Sequence, residues 1–207
     1  MNKKVKGEAV LRGTTNPEIL KGTTIPELER AYNKLHAWFY AYPSKEFSLN
    51  DLIENLGMSK TTANVVVNQL ANEGFIIISR LGKTWRIKAN ISHPLFITKK
   101  IPFNLNIVYE SGVIEWIKNN IPNARAIILF GSYRKGDDIE ESDLDIAVET
   151  ISNEPFTILS VLKIKSLGYR KDVRANIHVF SRKNIDLNLF ANIANRFILD
   201  GFLEVKP

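Results

Sequence analysis

An unbroken apolar run, Ala126-Ile127-Ile128-Leu129-Phe130, ends abruptly on Gly131-Ser132, and a second run opens at Asp143. The first has no polar alternation, the pattern of a strand buried on both faces. In the second, Leu144, Ile146 and Val148 alternate with Asp143, Asp145 and Ala147, as in a strand with one open face. A side-chain period of two puts the carboxylates of Asp143 and Asp145 on the same face. Between the runs lies Gly131-Ser132-Tyr133-Arg134-Lys135-Gly136. A chain with this segment must form a sheet whose adjoining turn places glycine and hydroxyl next to paired acids.

That constellation suits a phosphorylated ligand. Two close carboxylates repel each other unless a cation lies between them, and Mg²⁺ favours a few carboxylates plus phosphate oxygens. Gly131 leaves no Cβ in the way, so backbone N–H groups and the Ser132 hydroxyl can approach phosphate. Arg134 and Lys135 add positive charge nearby. The competing reading is a solvated strand end beside Asp137, Asp138, Glu140 and Glu141.

Upstream the pattern is helical. Residues 1–29 lack a sustained period and read as an N-terminal arm. Ala31, Leu35, Trp38, Phe39 and Tyr42 share a helical face that Pro43 ends. That aromatic face suits a core or a homodimer interface. Ser48 caps a second helix with Leu49, Leu52, Ile53 and Leu56 at i, i+3, i+4, i+7, and Gly57 closes it. Ser59 caps a third, with Ala63, Val66, Val67 and Leu70 inward, ending near Gly74. Residues 75–80 and 84–88 read as two strands around the turn Leu81-Gly82-Lys83.

Three helices and a hairpin over residues 30–90 resemble the winged helix-turn-helix DNA-binding domains of bacterial and archaeal regulators. On that reading the outer face of the third helix offers Thr61, Asn64 and Asn68, with Lys60 near its start. Arg80, Lys83 and Arg86 make the hairpin basic, as phosphate contact requires. A winged helix used only for protein contact is the alternative.

Charge agrees in part. The chain carries +6, and residues 1–98 hold 13 Lys and Arg against 8 Asp and Glu, so most of the excess is in the first half. A basic half fits phosphate neutralisation or simply a solvated surface. There are no cysteines, which excludes disulfides, thiolate metal sites and a Cys nucleophile. Their absence fits a reducing cytoplasm. No apolar run approaches membrane-spanning length, and no apolar segment follows the basic N-terminus as a secretory signal requires.

Two prolines, Pro94 and Pro102, make 91–104 the expected linker. Beyond it the pattern predicts a helix over 109–120, the two runs already described, a helix over 156–166, a strand over 175–180 and a last helix through Ile198 closed by Gly201. This mixing implies a small α/β domain, and an α+β protein overall.

Gly131-Ser132, Gly136 and Ser142-Asp143-x-Asp145 resemble the motif of the nucleotidyltransferase superfamily of DNA polymerase beta type, above all its minimal prokaryotic members. The resemblance covers roughly residues 105–207. It implies NTP binding by Gly131, Ser132, Arg134, Lys135, Gly136 and Ser142. It also implies Mg²⁺ (or Mn²⁺) ions on Asp143 and Asp145 as catalytic residues, and in-line nucleotidyl transfer to a hydroxyl. Small relatives nucleotidylate a partner toxin, so a protein acceptor is implied by resemblance alone. The family carries a third carboxylate on a later strand, where this chain aligns Asn176, with Asp172 before the strand and His178 two residues on. An amide accepts no proton. The two readings are a DNA-recruited nucleotidyltransferase and a DNA-binding regulator whose second domain binds nucleotide or a partner without transfer.

Overall fold

Pro26 near a helix start and Ser48 and Ser59 before two others punctuate the chain as capping chemistry predicts. The structure is a computed structural model and describes residues 24–204, apart from residues 83 and 152–154. The expected arm is thus mostly outside the described residues, but its last residues are helical. α1 spans Ile25–Ala41, with Pro26 in its first turn where the missing N–H costs nothing. The two-residue β1, Glu46–Phe47, follows, and then α2, Leu49–Leu56. Ser48 and Asp51 form a reciprocal capping box at the start of α2. α3 is Lys60–Asn72, capped by the Ser59 hydroxyl. β2, Ile76–Leu81, and β3, Thr84–Ala89, pair antiparallel, and β1 adds to β3. Leu35, Phe39, Leu52, Val66, Leu70, Phe75 and Ile87 are buried together, so the inward positions read from periodicity form a real core.

The expected linker is instead a helix. α4 spans Pro94–Glu110 and contains Pro102. Pro94 occupies the favoured first turn, and the lost bond at Pro102 is outweighed by burial on both sides of it. Phe96 belongs to the first core, while Ile107 and Val108 belong to the second. The helix expected over 109–120 is broken by Ser111 and the left-handed Gly112, and α5 begins afresh at Val113–Asn120.

A five-stranded sheet follows, in the order β6-β7-β5-β4-β8. β4 is Ala124–Phe130 and β5 is Leu144–Thr150, paired antiparallel. A five-residue helix, α6 (Gly131–Lys135), leaves β4. β7, Arg170–Phe180, runs parallel to β5. The helix expected over 156–166 is in fact β6, Thr157–Leu167, hairpinned to β7. Leu162 and Ile164 against Lys163 and Lys165 already carry a period of two, and β-branched Thr157, Ile158 and Ile164 favour a strand. The last helix is also shorter than expected. α7 is Leu187–Ala194, and Phe197 and Ile198 open β8, Phe197–Gly201. One sheet face packs on α4 and α5 through Ile127, Leu129, Ile146 and Ile177, and the other holds Ala126, Ile128, Ala147 and Phe180 with Ile193 of α7. Among the described residues no helix is long and apolar enough to cross a membrane.

Candidate functional site

The paired acids belong to the second sheet face, the one that carries Ala147 and Phe180. Phe130, the last residue of β4, pairs with Asp145, and Asp145 pairs in turn with Asn176 across the parallel ladder. Gly131 therefore turns directly over Asp145. Its φ is +72°, and an added Cβ would come within 2.5 Å of the Asp145 Oδ2 atom. Both the left-handed backbone and this contact require glycine.

Asn176 sits where the ladder places it, between the acids. Its Nδ2 donates toward Asp145 Oδ1 at 3.2 Å and Asp143 Oδ2 at 3.4 Å. One amide nitrogen thus reaches both carboxylates. Asp172 lies within β7 with φ +53°, four residues before Asn176, and lines a cleft with Asp143. His178 is on the same face, its Nε2 3.6 Å from Asp145 Oδ1 and otherwise unbonded. Phe130 meets its ring edge-on at 4.9 Å between centroids.

Other candidate nucleotide contacts have local duties. The Ser142 hydroxyl accepts from the Ile139 N–H at 2.9 Å. Gly136 ends α6 and is pressed against Ile97 and Ile101 of α4. The guanidinium of Arg134 stacks over Phe197 and donates toward the Asn195 carbonyl at 3.5 Å. Ser132 is half-buried at the turn and Lys135 is exposed.

The frame behind the turn was not legible in the motif. Asn104 of α4 donates to the Tyr133 carbonyl at 3.0 Å and to Asp138 Oδ1 at 2.6 Å. Lys100 pairs with Asp138 Oδ2 at 3.1 Å and donates to the Asp138 carbonyl, both side chains being almost wholly buried. Burial pulls the Lys100 ammonium down and pushes the Asp138 carboxyl up, while each partner opposes the shift of the other. From the far side Arg170 donates to the Tyr133 hydroxyl and to the Ser142 carbonyl, the latter at 2.6 Å. Burial pushes the Tyr133 phenol up, so that oxygen stays protonated and accepts. Such partners reveal themselves only when the chain brings residues tens of positions apart together.

The donor set decides what metal chemistry fits. Among the described residues no cluster of three or more His, Cys, Asp or Glu could hold an ion by itself. Two carboxylates within reach of one amide fit a divalent ion that brings phosphate oxygens with it, not a resident metal.

Residues 112–200 match the family model described as polymerase beta, nucleotidyltransferase. This stretch is similar to nucleotidyltransferase domains. The match takes in α5, the Gly131 turn, both acids and Asn176. No curated protein matches the chain. Among solved structures, the crystal structure of the heme sensor protein PefR from Streptococcus agalactiae in complex with heme is similar at 21% identity. It covers 50% of this chain and 82% of that one with a TM-score of 0.28, too loose to carry an argument.

In the N-terminal unit, Thr61, Asn64 and Asn68 of α3 line one groove with Arg80 and Trp85 of the hairpin. The amides of Asn64 and Asn68 donate back to the carbonyls of Lys60 and Asn64, at 3.1 and 2.7 Å. Lys60 is exposed at the start of α3. Arg86 pairs with Glu46 at 3.5 Å, both exposed, and Arg80 lies over Trp85 at 5.2 Å. Lys83 is outside the described residues. Trp85 is a groove residue that hydropathy gave no reason to single out.

Proposed function

We propose that this protein is a divalent-metal-dependent nucleotidyltransferase that an N-terminal winged helix recruits to DNA. The observation that carries the reading is the convergence of Asp143 and Asp145 under the side-chain-free turn at Gly131. Phosphates held at that turn by backbone N–H groups and the Ser132 hydroxyl would lie against both carboxylates. The Asp143 and Asp145 oxygens would hold Mg²⁺ or Mn²⁺ together with those phosphates. When bound, the ion would neutralise phosphate charge and polarise the reacting phosphorus. Asn176 orients the acids and adds no charge. Arg170, through Tyr133 and the Ser142 carbonyl, keeps the turn and the start of β5 in register. The groove of Thr61, Asn64, Asn68 and Arg80, on the basic half of the chain, supports the DNA reading.

The test is incubation with labelled NTP, Mg²⁺ or Mn²⁺ and candidate acceptors. Metal-dependent covalent labelling is expected, and Asp143→Ala should lower it by at least ~100-fold, in the range typical of lost transition-state electrostatics. Labelling unchanged by that substitution sinks the reading. Asn176 favours a second reading, nucleotide sensing by a DNA-bound regulator, because an amide takes no proton from an acceptor. Tight metal-dependent nucleotide retention with no covalent product would decide for it. For DNA, gel shifts should weaken steeply with salt, and Asn64→Ala should relax sequence preference.

A further inference from the structure

The two faces of the β2–β3 hairpin carry different cations. Its rungs join Ile76 to Ala89, Ile78 to Ile87 and Arg80 to Trp85, and a period of two puts all six on one face. Ile76, Ile87 and Ala89 are buried in the N-terminal core, so this face turns toward the helices. Arg86 and Lys88 alternate onto the opposite face, both exposed, and Arg86 is engaged there with Glu46. Among the described residues, Arg80 is therefore the hairpin cation that meets α3. It lines a groove of about 430 Å³ with Thr61, Asn64, Asn68 and Trp85. Resting on the DNA reading, we infer that Arg80 is a base-reading residue, held on Trp85 so that its guanidinium meets a guanine in the major groove that receives α3.

Donor geometry sets the target. The Arg80 guanidinium lies 5.2 Å from the centre of the Trp85 ring, its partner on the rung. An aromatic face attracts the cation and fixes the plane in which it lies. Arg80 has no ion-pair partner among the described residues, so its N–H fork is not committed to a carboxylate. A fork held in one plane matches the O6 and N7 acceptors that guanine presents in the major groove. Trp85 is a positioning residue in this arrangement, because it acts on the base through Arg80.

The rest of the groove argues for bases over backbone. A surface that tracks phosphates gathers cations, and here one cation stands beside three uncharged polar side chains and an indole. Asn64 and Asn68 each use one N–H on a backbone carbonyl, at 3.1 and 2.7 Å. Each keeps its carbonyl oxygen and a second N–H. One acceptor beside one donor is what adenine N6 and N7 require. The two amides are one helical turn apart, about 6 Å along α3, against a base-pair rise of about 3.4 Å. They therefore address bases about two steps apart. The element that fits is a duplex with adenines for the two amides and a guanine beside them for Arg80.

The test uses the full chain and a pool of randomised DNA duplexes. Selection and sequencing should enrich sites that hold a fixed guanine beside adenines. Anisotropy then measures affinity for one enriched duplex, intact or with that guanine replaced by 7-deazaguanine. The replacement removes the N7 acceptor and leaves the minor groove and the phosphates unchanged. Wild type should bind the replaced duplex at least ~5-fold more weakly, the lower end of what a bidentate base contact contributes. Arg80→Lys keeps the charge but not the fork, so it should bind the intact site at least ~5-fold more weakly and respond little to the replacement. Its affinity for the unselected pool should match wild type, which also shows that the variant folds. Trp85→Leu should behave like Arg80→Lys, and Trp85→Phe should restore the discrimination. Equal wild-type affinity for the intact and replaced duplexes overturns the proposal. So does an Arg80→Ala variant that weakens all duplexes alike and lowers the salt slope by about 0.9, the behaviour of a phosphate contact. Binding with no enrichment of sequence overturns base reading and leaves the DNA reading standing, whereas failure to bind any duplex overturns both.

Discussion

Gly131 and Asp145 touch so closely that each fixes the other. Gly131→Ala puts a methyl 2.5 Å from a carboxylate oxygen and strains a left-handed backbone. We expect a stability loss of about 1–2 kcal/mol from the backbone term, with nucleotide binding lost more severely. Urea denaturation beside nucleotide titration separates the two. Asn176→Asp adds a third carboxylate to a pair that the amide now bridges. Without metal, repulsion should lower the melting temperature, and Mg²⁺ with NTP should restore it, because a ligand that binds only the folded state stabilises it. A melt insensitive to Mg²⁺ would count against metal binding at the acids. His36 offers a pH test far from the site. It is buried, its Nδ1–H donates to the Tyr32 carbonyl at 3.0 Å, and its ring lies 4.2 Å from that of Phe75. Burial lowers its pKa below the ordinary histidine value, opposed by the hydrogen bond to the Tyr32 carbonyl and by Glu73, with Lys99 acting in the same direction as burial. The unfolded chain therefore takes up the proton first. This stability is full above the ordinary histidine range and falls as pH drops through it toward the folded value, by at most about 1.4 kcal/mol per pH unit. His36→Gln should flatten that part of a stability–pH curve.

Among elements, α4 shows best how local reading and tertiary context diverge. Two prolines argue for a linker, yet Pro94 only starts the helix, and Pro102 lies between residues that two cores require. Lys100 and Asn104, one turn apart on its inner face, reach the loop after α6. Lys100→Met would leave Asp138 buried without its cation, and breaking such a pair typically costs about 3–5 kcal/mol. Replacing both, Lys100→Met with Asp138→Leu, should cost less than the single change, as equilibrium unfolding can measure. β6 diverges for the opposite reason. Its alternation was present in the sequence, but a Leu- and Lys-rich run also suits a helix, and only the ladder to β7 decides between them. The capped helices α2 and α3 were legible because their caps and periods agree.

The whole molecule is held as one body by contacts that cross from the N-terminal unit to the second sheet. The Tyr42 hydroxyl donates to the Tyr169 carbonyl at 3.0 Å, and Trp38 meets the Tyr169 ring edge-on at 5.3 Å. Phe103 of α4 packs against both cores. Arg170, next to Tyr169, anchors the Gly131 turn through Tyr133, so the N-terminal unit is two residues from the frame of the site. We expect a single cooperative unfolding transition, with Trp38 and Trp116 reporting coincident midpoints in single-tryptophan variants. Phe103→Ala should separate them, since it removes apolar surface that both cores share.

From sequence alone, periodicity and caps determined α2, α3 and the hairpin, because those signals are local and agree with burial. The Gly131-Ser132 turn and the same-face placement of Asp143 and Asp145 were equally determined, since a glycine next to a strand and a period of two require no distant partner. Tertiary structure alone decided that α4 is a helix through Pro102, that 157–167 is a strand, and that Lys100, Asn104 and Arg170 brace the turn. It also set Lys163 opposite Arg174, and it showed that Asn176, which the motif resemblance aligned with a third carboxylate, reaches both acids through one amide nitrogen. Each of these depends on which segments meet across a sheet or a core, and the burial gained there overrides propensities of a fraction of a kcal/mol per residue.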